Sequence, residues 1–204
     1  IFQEFNNPNK RLIIGVTCLR EGHKEVAFQL FASIIEEGPK KSKDHHFAYV
    51  RRLVELAEME AENGGFTNAE QYMSHALNSF PETINYMMSR VHLEVYHAYY
   101  CFQANKKEVA YESISDVCKR EEDKFRMLPI QDSYDLVGPG LCYAIHQWAL
   151  FLAEEGNWVS AVLKLKEAFQ YISIIDQEII IEAQGYEEEG YLERAFYRYE
   201  EAIY

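Results

Sequence analysis

Small and large apolar residues alternate with polar ones along this 204-residue chain in an order that returns five times. Gly22, Gly64, Asn105, Gly156 and Gly190 are each followed five residues later by an alanine, at Ala27, Ala69, Ala110, Ala161 and Ala195. Seven residues before each of them stands another small residue, in order Gly15, Ala57, Ala98, Ala149 and Ala183. Two closely packed antiparallel helices need small side chains where their backbones approach, and the Gly or Asn between them supplies a sharp turn. The pattern therefore predicts an all-α chain of about five helix pairs, roughly ten main helices.

Local signals place the boundaries. Residues 1 to 7 read as a polar lead-in, and Asn6, Asn7 and Pro8 offer a turn and a helix start. The first pair runs to about Glu37 and ends at Gly38 and Pro39, after which Lys40 to His46 reads as a charged connector. In the second pair Gly64 and Gly65 form the turn, and a helix from about Asn68 to Ser79 stops ahead of Pro81. The third pair spans about Ile84 to Glu122, and Tyr86, Tyr96, Tyr99, Tyr100 and Phe102 make its first helix aromatic. The least repeat-like stretch, Lys124 to Gly140, carries Pro129, Asp132, Ser133 and the run Gly138, Pro139, Gly140. It reads as an insertion on one face of a stacked array, either a functional loop or one short extra helix. The fourth and fifth pairs follow at a 34-residue interval. The chain starts at Ile1 and stops at Tyr204 inside an expected helix, so residues 1–204 read as one elongated repeat domain belonging to a longer protein.

These steric positions resemble those of the tetratricopeptide repeat (TPR) family, over most of the chain. With the first small residue at position 8 of a 34-residue unit, the units start near Pro8, Val50, Val91, Cys142 and Asp176. Position 24, usually large and apolar in the family, is Phe31, Met73, Ile114, Leu165 and Tyr199. Position 27, usually small, is Ile34, Ala76, Val117, Ala168 and Ala202. The family's closing proline is present as Pro39 and Pro81 and absent afterwards. Departures fall at position 4, with Arg11 and Glu94 in place of an apolar residue, and at position 7, with His97 and Glu182.

The resemblance implies a right-handed α-α superhelix, a TPR-like solenoid in which the first helix of each pair lines a concave groove. Carried over position by position, the family's ligand-facing sites give Arg51, Val54, Glu58, Ala61 and Glu62 in the second unit, and His92, Val95, Tyr99, Phe102 and Gln103 in the third. The fourth unit gives Tyr143, His146, Leu150, Ala153 and Glu154, and the fifth Gln177, Ile180, Gln184, Glu187 and Glu188. The candidate groove for a peptide or protein is thus built from Arg51, Glu58, His92, Tyr99, Gln103, Tyr143, His146 and Gln184. Tyr99 and Phe102 either face it or are buried between turns of the array. The family's carboxylate clamp for chaperone tails needs Lys and Asn where Leu12, Val16, Val54 and Glu58 stand here, which disfavours that ligand.

Charge narrows the partner further. The net charge of −13 divides into +1 over residues 1–49, −6 over 50–141 and −8 over 142–204. Such a surface repels phosphate, so no direct nucleic-acid binding is expected; acidic helix faces suit a basic partner or plain solvation. Cys18, Cys101, Cys118 and Cys142 form no C-x-x-C pair and read as buried thiols, which suits a reducing, cytoplasmic compartment. With no signal peptide, no apolar run near membrane-spanning length and no N-x-S/T sequon, no membrane association is expected.

Catalytic chemistry has no visible constellation. His92 and His97 are five apart and point to different sides of a helix, and His45 with His46 sits in a charged connector. Phosphate-binding, dinucleotide-binding and nucleophile-elbow motifs are absent, and Glu187, Glu188 and Glu189 splay around a helix end. No metal and no cofactor is expected. The expected function is that of a non-enzymatic scaffold for a protein or peptide, with homo-oligomer formation compatible. The alternative is the ligand-sensing repeat domain of a bacterial peptide-responsive regulator, whose repeats often exceed 34 residues, as do the first three intervals here, 42, 41 and 51 residues.

Overall fold

A computed structural model describes residues 7–37, 43–80, 89–173 and 175–203, and among them there are helices and turns but no strand. Two compact units are present, Ile1–Leu93 and Glu94–Tyr204. The first holds α1 (Pro8–Arg20), α2 (Lys24–Glu37), α3 (Lys43–Glu62) and α4 (Phe66–Asn78), with α5 (Arg90–Gln103) beginning at its end. The second continues through α6 (Lys107–Met127), the single turn α7 (Ile130–Asp132), a π-helical turn (Ser133–Val137) and α8 (Gly138–Glu154). It ends with α9 (Trp158–Ala168), a 3₁₀ turn (Phe169–Tyr171), α10 (Gln177–Glu188) and α11 (Leu192–Glu201). Helices adjacent in sequence pack as pairs, α1 with α2, α3 with α4, α8 with α9 and α10 with α11.

All five turns that join the helices of a pair are built alike. Gly22, Gly64, Asn105, Gly156 and Gly190 adopt φ of 83°, 78°, 63°, 76° and 82°, and these are the positive-φ residues among the described residues. The amide of each donates to the carbonyl three residues back, and the next amide to the carbonyl five before itself, as in His23 to Cys18 (2.7 Å) and Lys106 to Cys101 (2.9 Å). This is a Schellman closure, which satisfies carbonyls that the helix end would otherwise orphan. Asn105 takes the left-handed conformation in the third turn, the role for which Asn is the usual substitute for Gly. The amide of each signature alanine then closes the first turn of the following helix, as in Ala161 to Asn157 (3.0 Å). Side-chain caps reinforce two starts: Asn157 accepts from the Ser160 amide, and Asp176 from those of Glu178 and Ile179.

The small residues lie where the helices meet. Ala27, Ala69, Ala110, Ala161 and Ala195 are fully buried, as are Ala57, Ala98, Ala149 and Ala183. The large partners Phe31, Met73, Ile114, Leu165 and Tyr199 are buried too. In the first unit the fit is tight. A Cβ on Gly15 would collide with Phe31 Cε1, and the Arg52 guanidinium lies over the same ring. Gly15→Ala is therefore expected to overpack the α1–α2 crossing and cost about 1–3 kcal/mol, a loss that Phe31→Leu should largely restore in the double variant. Urea unfolding of the four proteins of that cycle checks it; additive effects would place Gly15 away from Phe31.

Three of the four polar departures from the repeat pattern act within the pairs. Arg11 Nη1 of α1 donates to Ser33 Oγ of α2 at 3.1 Å, and Arg120 Nη1 of α6 donates to Glu94 Oε1 of α5 at 3.1 Å. Arg198 Nε of α11 donates to Glu182 of α10 at 2.8 Å. Each places a directed polar contact where the repeat otherwise packs apolar surface.

Two stretches differ from the sequence expectation. Of the connector Lys40–His46, residues 43–46 already belong to α3, and the remainder lies outside the described residues, as do Ile84–Met88, Gly38, Pro39 and Pro81. The stretch Lys124–Gly140 is almost wholly helical. Its Gly138-Pro139-Gly140 run starts α8, because Pro suits a first helical turn, and Gly138 lets the chain approach Tyr171, whose carbonyl oxygen would lie 2.5 Å from an added Cβ. One helical stretch, Ile130–Glu154, also has the length and apolarity to cross a membrane, and half of its apolar window is buried inside the unit.

Candidate functional site

In the first unit, α3 carries Arg51, Glu55, Glu58 and Glu62 along one face, at spacings of four, three and four residues. With Met59 and Asn63 they form one wall of an open cavity of about 560 Å³, and Val16 and Leu19 of α1 form the other. Arg51 Nε donates to Glu55 Oε1 at 3.1 Å, which neutralises one carboxylate, while Glu58 and Glu62 are exposed. Partial burial, reinforced by Glu55 and Glu62, holds the Glu58 carboxyl above its ordinary range. The C-terminal end of α3, with its negative dipole, adds to that potential. A site of this composition accepts a cation flanked by apolar groups.

In the second unit, Gln103 Nε2 of α5 donates to Glu154 Oε2 of α8 at 3.0 Å. Tyr99 is half-buried beside the Tyr100 ring, centroids 5.7 Å apart, and burial followed by the Glu154 charge raises its phenol above the ordinary value. Phe102 is buried, stacked on Phe151 with centroids 4.4 Å apart. Tyr143 is half-buried and lines a second cavity of about 220 Å³ with Tyr134, Cys142, Tyr171, Ile172 and Ile203.

The candidate residues therefore fall into separate groups. Arg51 and Glu58 share the first cavity, Gln103 is joined to Glu154 and Tyr143 opens onto the second cavity. His146 is 5% exposed, with Nε2 2.8 Å from Glu200 Oε1 of α11, so its polar end is engaged inside the unit. His92 and Gln184 are exposed and line neither cavity; burial of part of the ring lowers the His92 pKa. Glu187, from the acidic run at the end of α10, is bound by Lys166 Nζ at 3.0 Å and by Tyr199 Oη at 2.8 Å. Those contacts hold its carboxyl below its usual range against the opposing effect of burial.

Sequence reasoning missed Glu55 and Met59, which share the α3 face with the carried-over positions and which a stripe read at helical spacing would have found, and Asn63, in the turn just past the end of α3. It also missed Tyr134, Tyr171, Ile172 and Ile203, which come from irregular turns and a helix end where no periodicity applies. Three of the four thiols are buried as expected, Cys101, Cys118 and Cys142, and burial pushes Cys118 up to about 12 and Cys142 to about 11; Cys18, also expected to be buried, is only partly so.

The fold and these cavities define an all-helical protein of packed, adjacent helix pairs bearing an acidic recess in one unit and an aromatic one in the other. No protein-family model matches the chain, and no curated protein matches it.

Proposed function

We propose that the chain is a TPR-type, non-enzymatic scaffold that binds a basic segment of a protein or peptide, working in a reducing compartment such as the cytoplasm. One observation carries the reading: positions that the repeat register assigns to a ligand converge on a formed cavity. Arg51, Glu58 and Glu62 of the second pair meet Val16 and Leu19 of the first around a single recess of about 560 Å³. The five Schellman turns and the buried small residues at matching positions support the repeat assignment, and right-handed stacking of the pairs within each unit belongs to the same proposal. The recess favours a Lys or Arg side chain whose stem lies along Val16, Leu19 and Met59.

Fluorescence anisotropy with labelled basic, neutral and acidic peptides tests this on the full chain. The basic peptide should bind tightest and weaken with added salt, and Glu58→Gln should reduce its affinity about 5–10-fold without shifting the unfolding midpoint. Equal affinity across the three peptides, or an unchanged affinity in the variant, would overturn the proposal.

A further inference from the structure

We propose that the second unit carries a separate site for a single aromatic ring, neutral or positively charged. It occupies the cavity between the π-helical turn, the start of α8 and the end of α11, and it does not depend on the peptide reading of the first unit. At about 220 Å³ the cavity is larger than the roughly 150 Å³ that holds a benzene and smaller than the recess of a drug-sized ligand. One phenol or indole fills it. The walls have matching chemistry: the rings of Tyr134, Tyr143 and Tyr171 offer edges and faces, Ile172 and Ile203 add aliphatic surface, and Cys142 contributes a polarisable sulfur.

Tyr134 and Tyr171 have their polar ends already engaged. Tyr134 Oη donates to the Gln170 carbonyl at 3.3 Å and Tyr171 Oη to Glu122 Oε1 at 3.1 Å, leaving the rings as wall. The recess is also held open by its own framework. The Ser133 hydroxyl, buried in the π-helical turn, sits within hydrogen-bond distance of the carbonyls of Phe125 (2.7 Å), Leu128 (3.1 Å) and Pro129 (3.0 Å). Phe125 stands edge-on to Tyr134 and to Tyr171, 5.1 Å from each. Walls fixed before binding cost a ligand little ordering, and π-helical turns recur at functional sites.

Charge decides which rings are admitted. Residues 94–204 carry ten Lys and Arg against twenty-one Asp and Glu, a net of −11. Glu122 stands on Tyr171 with Arg126 bound to it, Glu200 Oε1 lies 2.8 Å from His146 Nε2 and Glu201 is paired with Arg198, so the selection by charge rests on the net negative charge of the unit. A carboxylate on the ring is therefore repelled, and an amine is drawn in.

Methyl-labelled isoleucine spectra of the full chain, titrated with indole, test the site. Saturable ring-current shifts are expected at Ile172 and Ile203, with a Kd on the order of 0.1–1 mM. Tryptamine should bind at least as tightly and indole-3-acetate at least about fivefold more weakly. Ser173 is an exposed lining residue, so Ser173→Trp should fill the recess and abolish the shifts while leaving the unfolding midpoint in place; Ser173→Leu serves if the tryptophan variant does not fold. Glu58→Gln, in the other unit, should leave indole binding unchanged. A tripeptide with a central tryptophan separates the two sources of such a ring. Tighter binding than indole assigns the site to a side chain of a partner, and weaker binding to a free small molecule. Absence of saturable shifts at Ile172 and Ile203, or shifts that survive both Ser173 variants, would overturn the site. Indole-3-acetate binding as tightly as indole would overturn its charge selectivity.

Discussion

Phe151→Ala is expected to lower the stability of the second unit by about 3–5 kcal/mol, among the largest losses that a single truncation produces. Phe151 is fully buried on α8, and its ring stacks on Phe102 of α5 with centroids 4.4 Å apart and planes 3° from parallel. Tyr111 of α6 stands edge-on to both, 5.9 Å from Phe151 and 6.2 Å from Phe102. The ring thus fills the space where three helices converge. Its neighbours have little freedom to close the void, because Tyr111 Oη is tied to Glu155 Oε2 at 2.8 Å and Phe102 is itself buried. Urea unfolding of the full chain measures the loss, with Val159→Ala, at a position 57% exposed, as a control expected to change little. A loss below about 1 kcal/mol would mean that the cluster rearranges to fill the gap.

The helix pairs were legible because their determinants are local and steric. A left-handed residue is required at each turn, and Gly22, Gly64, Asn105, Gly156 and Gly190 announce it; an alanine that closes the next helix and is fully buried follows each one. That Arg51 and Glu58 line one cavity was legible for a related reason, since one face of α3 follows from helical spacing once the register is fixed. Long-range polar pairing was not legible. His146 takes its surroundings from Glu200, 54 residues away, and Glu94 takes its role at an apolar position from Arg120, 26 residues on. The stretch Lys124–Gly140 left a loop and a short extra helix open because Pro129 and the Gly138-Pro139-Gly140 run are loop signals in isolation. Here Pro139 lies in the first turn of a helix, and the one proton of the buried Ser133 hydroxyl is offered to the carbonyls of Phe125, Leu128 and Pro129 around the irregular turn. The aromatic recess was beyond sequence reading because its walls come from a π-helical turn, a helix start and a helix end that share no period.

Arg52→Met is expected to stabilise the first unit by about 1–4 kcal/mol, against the usual direction of a core substitution. Arg52 is fully buried on α3, and its Nε and Nη2 have no hydrogen-bond partner among the described residues. Its one hydrogen bond, from Nη1 to Glu55 Oε2, is long at 3.4 Å, and Glu55 keeps Arg51 as a second cation. Contact with the Phe31 ring offsets part of the cost of removing the charge from water, and a methionine retains much of that contact through its thioether. Burial lowers the Arg52 pKa from the ordinary guanidinium range to about 9, with the Glu55 charge opposing that shift only in part. A base whose pKa falls on folding holds its proton more weakly in the native state, so the penalty is fully present below pH about 9 and is relieved as pH rises from about 9 towards the ordinary guanidinium range. The stability advantage of the variant should therefore be constant across neutral pH and shrink above pH about 9. Paired urea titrations of parent and Arg52→Met at neutral and alkaline pH read both parts, with the exposed Arg51→Met as a control for general charge. A variant less stable than the parent at neutral pH would make the Arg52 contact with Phe31 and Glu55 a net support of the α2–α3 packing.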